Sequence, residues 1–274
     1  MSRIRCSSTR RATSSWAHAL LVAWTAARVR RARARADGSR ASLGALKHRP
    51  YRVATTMETE LAFLMASLAR VQPGARVLDP CCGSGGLLLS AAVLGATGMV
   101  GLDTDSAALA GARRNFAAYG LHQPDFRVAN ILRAARSAEN GDGGVHSCSF
   151  DAIICDPPYG MKVGFSSERT PILEPAAPRA PAEPDEARVQ VALVVTALLR
   201  LAQRALAPCG RLVFFMPVRG DDSRDPRGIH ALLDECAPAK PAAGARLRLV
   251  DARRQTFSPT FARWIVILER LVRR

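Results

Sequence analysis

Arg76-Val77-Leu78-Asp79-Pro80-Cys81-Cys82-Gly83-Ser84-Gly85 sets the architecture of this chain. The first three residues read as a short buried strand, and an acid stands at its carboxyl end. Glycines follow where the backbone must turn tightly and let a ligand come close. The apolar run Leu87 to Leu94 reads as the helix after the loop, with Gly95 as its stop. No Lys-Ser/Thr pair follows the glycines, so this is not a phosphate loop.

The pattern repeats downstream. Met99-Val100-Gly101-Leu102 is a second strand ending at Asp103, and Asp105 or Ser106 caps a helix through Phe116. Phe126-Arg127-Val128-Ala129 is a third strand ending at Asn130, and Glu139 to Ser149 is a Gly-rich loop. Ala152-Ile153-Ile154-Cys155 is a fourth strand that runs into Asp156-Pro157-Pro158-Tyr159-Gly160. Upstream, a capped amphipathic helix is expected to start near Thr56, carry Leu61, Leu64, Met65 and Leu68, and break at Gln72-Pro73-Gly74.

Further on, the five prolines between Thr170 and Pro184 mark a loop. Ala187 to Ala207 is a long helix, with Pro208-Cys209-Gly210 as its turn, and Arg211 to Val218 is a fifth strand. Leu247 to Val250 and Trp264 to Leu268 read as a closing pair, with Arg253, Arg254 and Arg263 in or beside the connection. Alternating strands and helices predict an α/β domain: a mostly parallel seven-stranded sheet with a C-terminal antiparallel strand pair. Ligands of such sheets bind at the carboxyl ends of the strands, and Asp79, Asp103, Asn130 and Asp156 all fall there.

The chain of 274 residues carries a net charge of +16, which favours an anionic partner, nucleic acid first. Residues 1–57 hold thirteen Lys/Arg against the single acid Asp37, so most of that charge belongs to the N-terminal stretch. The expected division is a basic tail over 1–48 and one domain over 49–274. The first 36 residues are rich in Arg, Ser and Ala and lack acids. They have the composition of a mitochondrial or plastid transit peptide. A basic RNA-binding arm and a misplaced gene start remain open beside that reading, with the cytoplasm as the compartment if there is no transit peptide. Seven scattered cysteines without a C-x-x-C pair argue against a zinc site or a disulfide framework. The apolar stretch Trp16 to Val29 is too short and interrupted to span a bilayer, so no membrane partner is expected.

The Asp-Pro-Pro-Tyr run suggests a chemistry. An exocyclic base amine is a poor nucleophile because its lone pair is delocalised into the ring. The Asp156 carboxylate and a backbone carbonyl held by two prolines can accept both N–H bonds and aim the lone pair. Tyr159 can stack on the base. Asp103 is suited to accept ribose hydroxyls. Asn130 is either an adenine contact or a turn residue, and Asp105 reads better as a helix cap than as a ligand. Cys81, Cys82 and Cys155 read as packing residues.

Asp-Pro-Cys-Cys-Gly-Ser-Gly, Gly-Leu-Asp-Thr-Asp and Asp-Pro-Pro-Tyr-Gly, in that order, resemble the S-adenosylmethionine-dependent amino methyltransferases. Two flanking segments narrow the likeness: Arg49-Pro50-Tyr51 through Thr55-Thr56-Met57-Glu58-Thr59-Glu60-Leu61, and Gln255-Thr256-Phe257 through Phe261-Ala262-Arg263-Trp264. With these, residues 49–270 resemble the tRNA guanine-N2 methyltransferases that modify guanosine 10. The resemblance implies a Rossmann-like fold, S-adenosylmethionine as cofactor and methyl transfer to the guanine 2-amino group of RNA, tRNA first. Ribosomal RNA guanine, and adenine N6 or cytosine N4 in DNA, are alternatives for the same site. A non-catalytic RNA-binding subunit or a gene fragment is the alternative of another class.

By that resemblance Asp79, Gly83, Gly85 and Asp103 bind the cofactor, with Asn130 at its adenine and Thr56 in the same set. Asp156, the Pro157 carbonyl and Tyr159 hold the base, and no residue holds a metal. The family's eukaryotic enzymes work with a small zinc-binding activator subunit. Its members also carry an N-terminal RNA-binding THUMP domain, which a basic stretch of 48 residues is not expected to form.

Overall fold

The computed structural model describes residues 48–52, 57–140, 149–158, 184–219, 228–238, 246–258 and 261–271. Seven strands and six helices follow in the order α1 (Thr59–Leu68), β1 (Arg76–Asp79), α2 (Gly86–Val93), β2 (Gly98–Asp103), α3 (Ser106–Ala118), β3 (Asp125–Val128), α4 (Ile131–Asn140), β4 (Phe150–Cys155), α5 (Pro184–Ala205), β5 (Leu206–Arg219), α6 (Gly228–Glu235), β6 (Leu247–Ser258) and β7 (Phe261–Arg270). The strands form one sheet in the order β3-β2-β1-β4-β5-β7-β6. β1 to β5 are mutually parallel, and β7 runs antiparallel to both β5 and β6. The expected Rossmann-like sheet is present, with one refinement. Only β7 is reversed; β6 again runs in the direction of β1–β5.

The central strands are continuous apolar runs because helices cover both faces. Val77, Ala152, Ile154, Val213 and Phe215 face a core layer with Phe63, Leu88, Leu109 and Phe116 of α1, α2 and α3. Leu78, Ile153, Cys155, Leu212, Phe214 and Trp264 face the other layer, with Ile131, Val194, Leu198 and Ile229 of α4, α5 and α6. The period-two alternation thus splits each strand between two cores.

Several boundaries differ from the sequence reading. α1 begins at Thr59, with Glu58 at the N-cap position and no side-chain cap bond; residues 53–56 lie outside the described set. α4 and α6 have no counterpart in the sequence reading. In α4, Arg133 and Arg136 interrupt a short apolar pattern, and α6 is only 8 residues long. α5 ends at Ala205 because Leu206 already pairs with Phe150. Pro208-Cys209-Gly210 is therefore not a helix stop. It lies in a bulge before Ala152 pairs with Arg211, and Cys209 takes a φ of 64° there. Arg253 and Arg254 stand within β6 and Arg263 within β7, not in the connection.

Candidate active site at the carboxyl rim of the sheet

The adjacent strands β2, β1 and β4 deliver Asp103, Asp79 and Asp156 to one rim. The loop after β1 is tied down by backbone bonds. Cys82 N–H donates to the Leu102 carbonyl at 2.8 Å, and Gly85 N–H to the Cys82 carbonyl at 2.8 Å. Gly83 and Gly85 adopt φ values of 48° and 78°, which side chains other than glycine rarely tolerate. A Cβ on Gly85 would also stand 3.2 Å from Ala112 Cβ. Gly83 N–H donates to Asp103 Oδ2 at 2.7 Å, so the second acid holds the loop as well as facing the rim. Asp103 Oδ1 accepts from Asp105 N–H at 2.9 Å. A carboxylate has lone pairs for further donors beyond these two.

Asp79 is fully buried. Its Oδ1 accepts from Cys81 N–H at 3.2 Å, while Oδ2 has no hydrogen-bond partner among the described residues. Burial pushes its carboxyl well above the usual range. The Cys81 N–H opposes the shift, and the charges of Asp103 and Asp156 add to it. A buried carboxylate with one unanswered oxygen, beside two more acids, is a cradle for a cationic group.

Two of the cysteines around it, Cys82 and Cys155, are buried thiols. Burial pushes the Cys82 thiol far up, and Asp79 and Asp103 push it further. Cys155 is raised in the same way, first by burial and then by a hydrogen bond with Cys81. Both stay protonated, consistent with packing roles.

Asp105 and Asn130 are helix caps. Asp105 Oδ1 accepts from Ala107 N–H at 2.8 Å, and Asn130 Oδ1 accepts from Leu132 N–H at 2.8 Å. Asn130 therefore uses its carbonyl oxygen on α4, in line with the turn reading of the sequence. Pro157 is buried and Asp156 half-buried. Thr56 and Tyr159 lie outside the described residues.

Two residues that the sequence did not single out as site residues brace the loop. Asn115, inside α3 and fully buried, accepts from Tyr51 N–H at 2.9 Å and donates to the carbonyls of Tyr51 at 2.9 Å and Ser84 at 3.0 Å. It thereby clamps the Arg49-Pro50-Tyr51 segment onto the glycine loop. Arg49 is buried and donates to the Met57 carbonyl at 3.1 Å. A Cβ on Gly86 would stand 3.4 Å from its Nη2. The Tyr51 ring lies directly against Gly111, where a Cβ would collide with it. The sequence signal for Asn115 was a weak helix former set between positions that pack inward, Ala112 and Phe116. A cavity of about 390 Å³ lies elsewhere, at the amino ends of the strands, lined by Arg76, Gly98, His122, Asp125 and Phe150. It contains none of the rim acids. Among the described residues no cluster of His, Cys, Asp or Glu could hold a metal.

Residues 47–176 match the family described as RMKL-like, methyltransferase domain. The tRNA (guanine(10)-N2)-dimethyltransferase of Methanothermobacter thermautotrophicus is 36% identical over 122 residues, 44% of this chain and 33% of that protein. The tRNA (guanine(10)-N(2))-methyltransferase of Dictyostelium discoideum is 32% identical over 186 residues, 64% of this chain and 35% of that protein. The chain thus spans about a third of the length of these relatives. The crystal structure of TrmN from Thermus thermophilus superposes with a TM-score of 0.53 at 24% identity, covering 78% of this chain and 49% of that one. Residues 47–176 are thus similar to an RMKL-like methyltransferase domain, and the chain is similar in sequence to the tRNA guanosine-10 N2-methyltransferases over that stretch.

Proposed function

We propose that the chain is an S-adenosylmethionine-dependent RNA methyltransferase acting on the exocyclic N2 of guanine, with tRNA as its substrate. The observation that carries this reading is the rim itself. A glycine loop pinned by Asp103 and a buried, half-answered Asp79 carboxylate stand one strand away from Asp156-Pro157. The names of the two guanine(10)-N2 relatives support the choice of base and of tRNA.

The residues present fit the cofactor. Asp79 Oδ2 would receive one of its cationic groups, Asp103 its ribose hydroxyls, and the Gly83–Gly85 backbone lets it come close. S-adenosylmethionine, when bound, supplies the methyl as an electrophile on a sulfonium. The protein's own task is to present the amine. Asp156 accepts one N–H of the guanine 2-amino group and the Pro157 carbonyl accepts the other. This turns the nitrogen lone pair out of the ring plane and toward the donor. The Pro158 ring that follows restricts the backbone of Pro157 and so limits the turning of that carbonyl. Tyr159 completes the base pocket in this reading, and a small zinc-binding subunit is the proposed partner.

Asp156→Ala tests the assignment. It should retain cofactor binding and lose methyl transfer by about 100-fold or more, the usual scale for removing a group that acts in the transition state. Transfer at the wild-type rate would show that Asp156 does not hold the amine.

A further inference from the structure

Tyr51 and the helix it lies on carry a cationic surface that the chemistry above does not use. The Asn115 clamp fixes the backbone of Tyr51 on α3, and Gly111 leaves room for its ring, since a Cβ there would stand 2.0 Å from Tyr51 Cδ1. The guanidinium of Arg114, nearly one turn further along α3, lies over that ring at 5.2 Å from its centroid. Arg114 is exposed, and beyond the ring it has no hydrogen bond or ion pair to any described residue. A neutral ring leaves the charge whole and consumes none of the guanidinium N–H donors, which match a phosphate.

The neighbouring cations separate into those the fold uses and those it leaves. Arg113 donates to the Phe126 carbonyl at 2.9 Å and lies 5.4 Å from the centroid of that ring, so it serves the contact with β3. Arg49 donates to the Met57 carbonyl; burial holds its guanidinium below the ordinary range, and the charge of Arg52 adds to that shift. Arg52 is exposed and has no hydrogen bond or ion pair among the described residues. No acid stands on α3, and Asp105 before it is committed to the Ala107 N–H. The strongly basic stretch before residue 49 joins the domain at this same face.

We propose that Arg114 and Arg52 form a docking surface for phosphates of the RNA substrate, outside the catalytic rim. The proposal rests on the RNA reading given above. α3 starts just past Asp103 of the rim, and Arg114 lies eight residues beyond Ser106, about 12 Å down the helix axis. Phosphates held there belong to a part of the RNA away from the target base. Each contact neutralises one phosphate and releases counterions, so the surface contributes to affinity and to its salt dependence and leaves the methyl-transfer step alone.

The test uses the full chain, S-adenosylmethionine and an unmodified tRNA transcript over a series of salt concentrations. Arg114→Gln, Arg52→Gln and the double substitution are the variants. Arg204→Gln is the matched charge control: Arg204 is also exposed and without a hydrogen bond or ion pair among the described residues, but it stands on α5, against the opposite face of the sheet. Arg52 and Arg114 support no buried group, so the variants should melt with the wild type. The expected result is a KM for tRNA raised about tenfold by each single substitution, with kcat and cofactor affinity unchanged. The slope of log affinity against log salt should fall by about 0.7–0.9 per lost contact, and by about twice that in the double variant. The control should keep the wild-type KM and slope. A wild type that methylates tRNA, with the Arg114 and Arg52 variants no weaker than the control, would overturn the docking surface and leave the function standing. Cofactor binding without methylation of any RNA by the wild type would overturn the functional reading, and the docking surface with it.

Discussion

Replacing Asp79 by asparagine should stabilise the cofactor-free protein and weaken cofactor binding. In the native fold the carboxyl is wholly buried, Oδ2 has no partner among the described residues, and Asp103 and Asp156 face it. A buried polar group left unanswered costs about 1–3 kcal/mol, more when charged. Asparagine avoids the cost of keeping this carboxyl protonated or of ionising it in the core, and should raise stability by an amount in this range, or a few degrees in Tm per kcal/mol for a domain of this size. The pH dependence fixes the sign. Burial raises the carboxyl above its unfolded value, so above roughly pH 4 the unfolded chain has released a proton that the folded one still holds. Wild-type stability therefore declines as pH rises from the unfolded pKa toward the raised folded one, and levels off beyond it. Asp79→Asn lacks that decline, so its advantage grows with pH and then stays constant. Thermal melts across the pH range, with and without S-adenosylmethionine, read both effects. A charge-assisted hydrogen bond is worth about 1.5–3 kcal/mol, so cofactor affinity should fall roughly 10- to 150-fold and the ligand-induced Tm shift should shrink with it. An Asp79→Asn variant that melts below the wild type at neutral pH, or binds the cofactor equally well, would refute the reasoning.

Asn115→Ala removes three hydrogen bonds, those to the N–H and carbonyl of Tyr51 and to the carbonyl of Ser84. The expected loss is about 3 kcal/mol or more in denaturant unfolding, together with weaker cofactor binding because Ser84 lies in the glycine loop. Thiol labelling of the native protein at pH 8 should spare Cys82 and Cys155, whose burial keeps them protonated, and modify both after unfolding. Rapid native labelling of either one would contradict the packing role assigned to it.

The parts of the fold that local chemistry dictates were legible in the sequence. β1, β2 and β4 are apolar runs that end on acids, and the glycines sit where positive φ is required. Asp79, Asp103 and Asp156 could therefore be placed on one rim from their positions alone. What long-range packing decides was not legible. The insertion of β7 between β5 and β6 follows from the hairpin pairing back onto β5, and no local pattern announces it. Leu206 is drawn out of the helix by its pairing with Phe150, across 56 residues of chain. Asn115 acquires its role only when Tyr51, 64 residues earlier, lies against α3. α4 is hidden by its charged residues, and the cap that starts it also reads as a strand end. Asn130 reads in the sequence as an adenine contact or a turn residue, and in the fold its Oδ1 accepts from Leu132 N–H at the start of α4.

Methyl transfer from labelled S-adenosylmethionine to unmodified tRNA, ribosomal RNA and DNA, followed by nucleoside analysis, tests the central claim most directly. It should be run with and without the proposed zinc-binding subunit. The account predicts N2-methylguanosine from tRNA. Methyladenine or methylcytosine from DNA as the sole product would contradict the substrate assignment, and a bound cofactor with no methylated base on any substrate would contradict the activity itself.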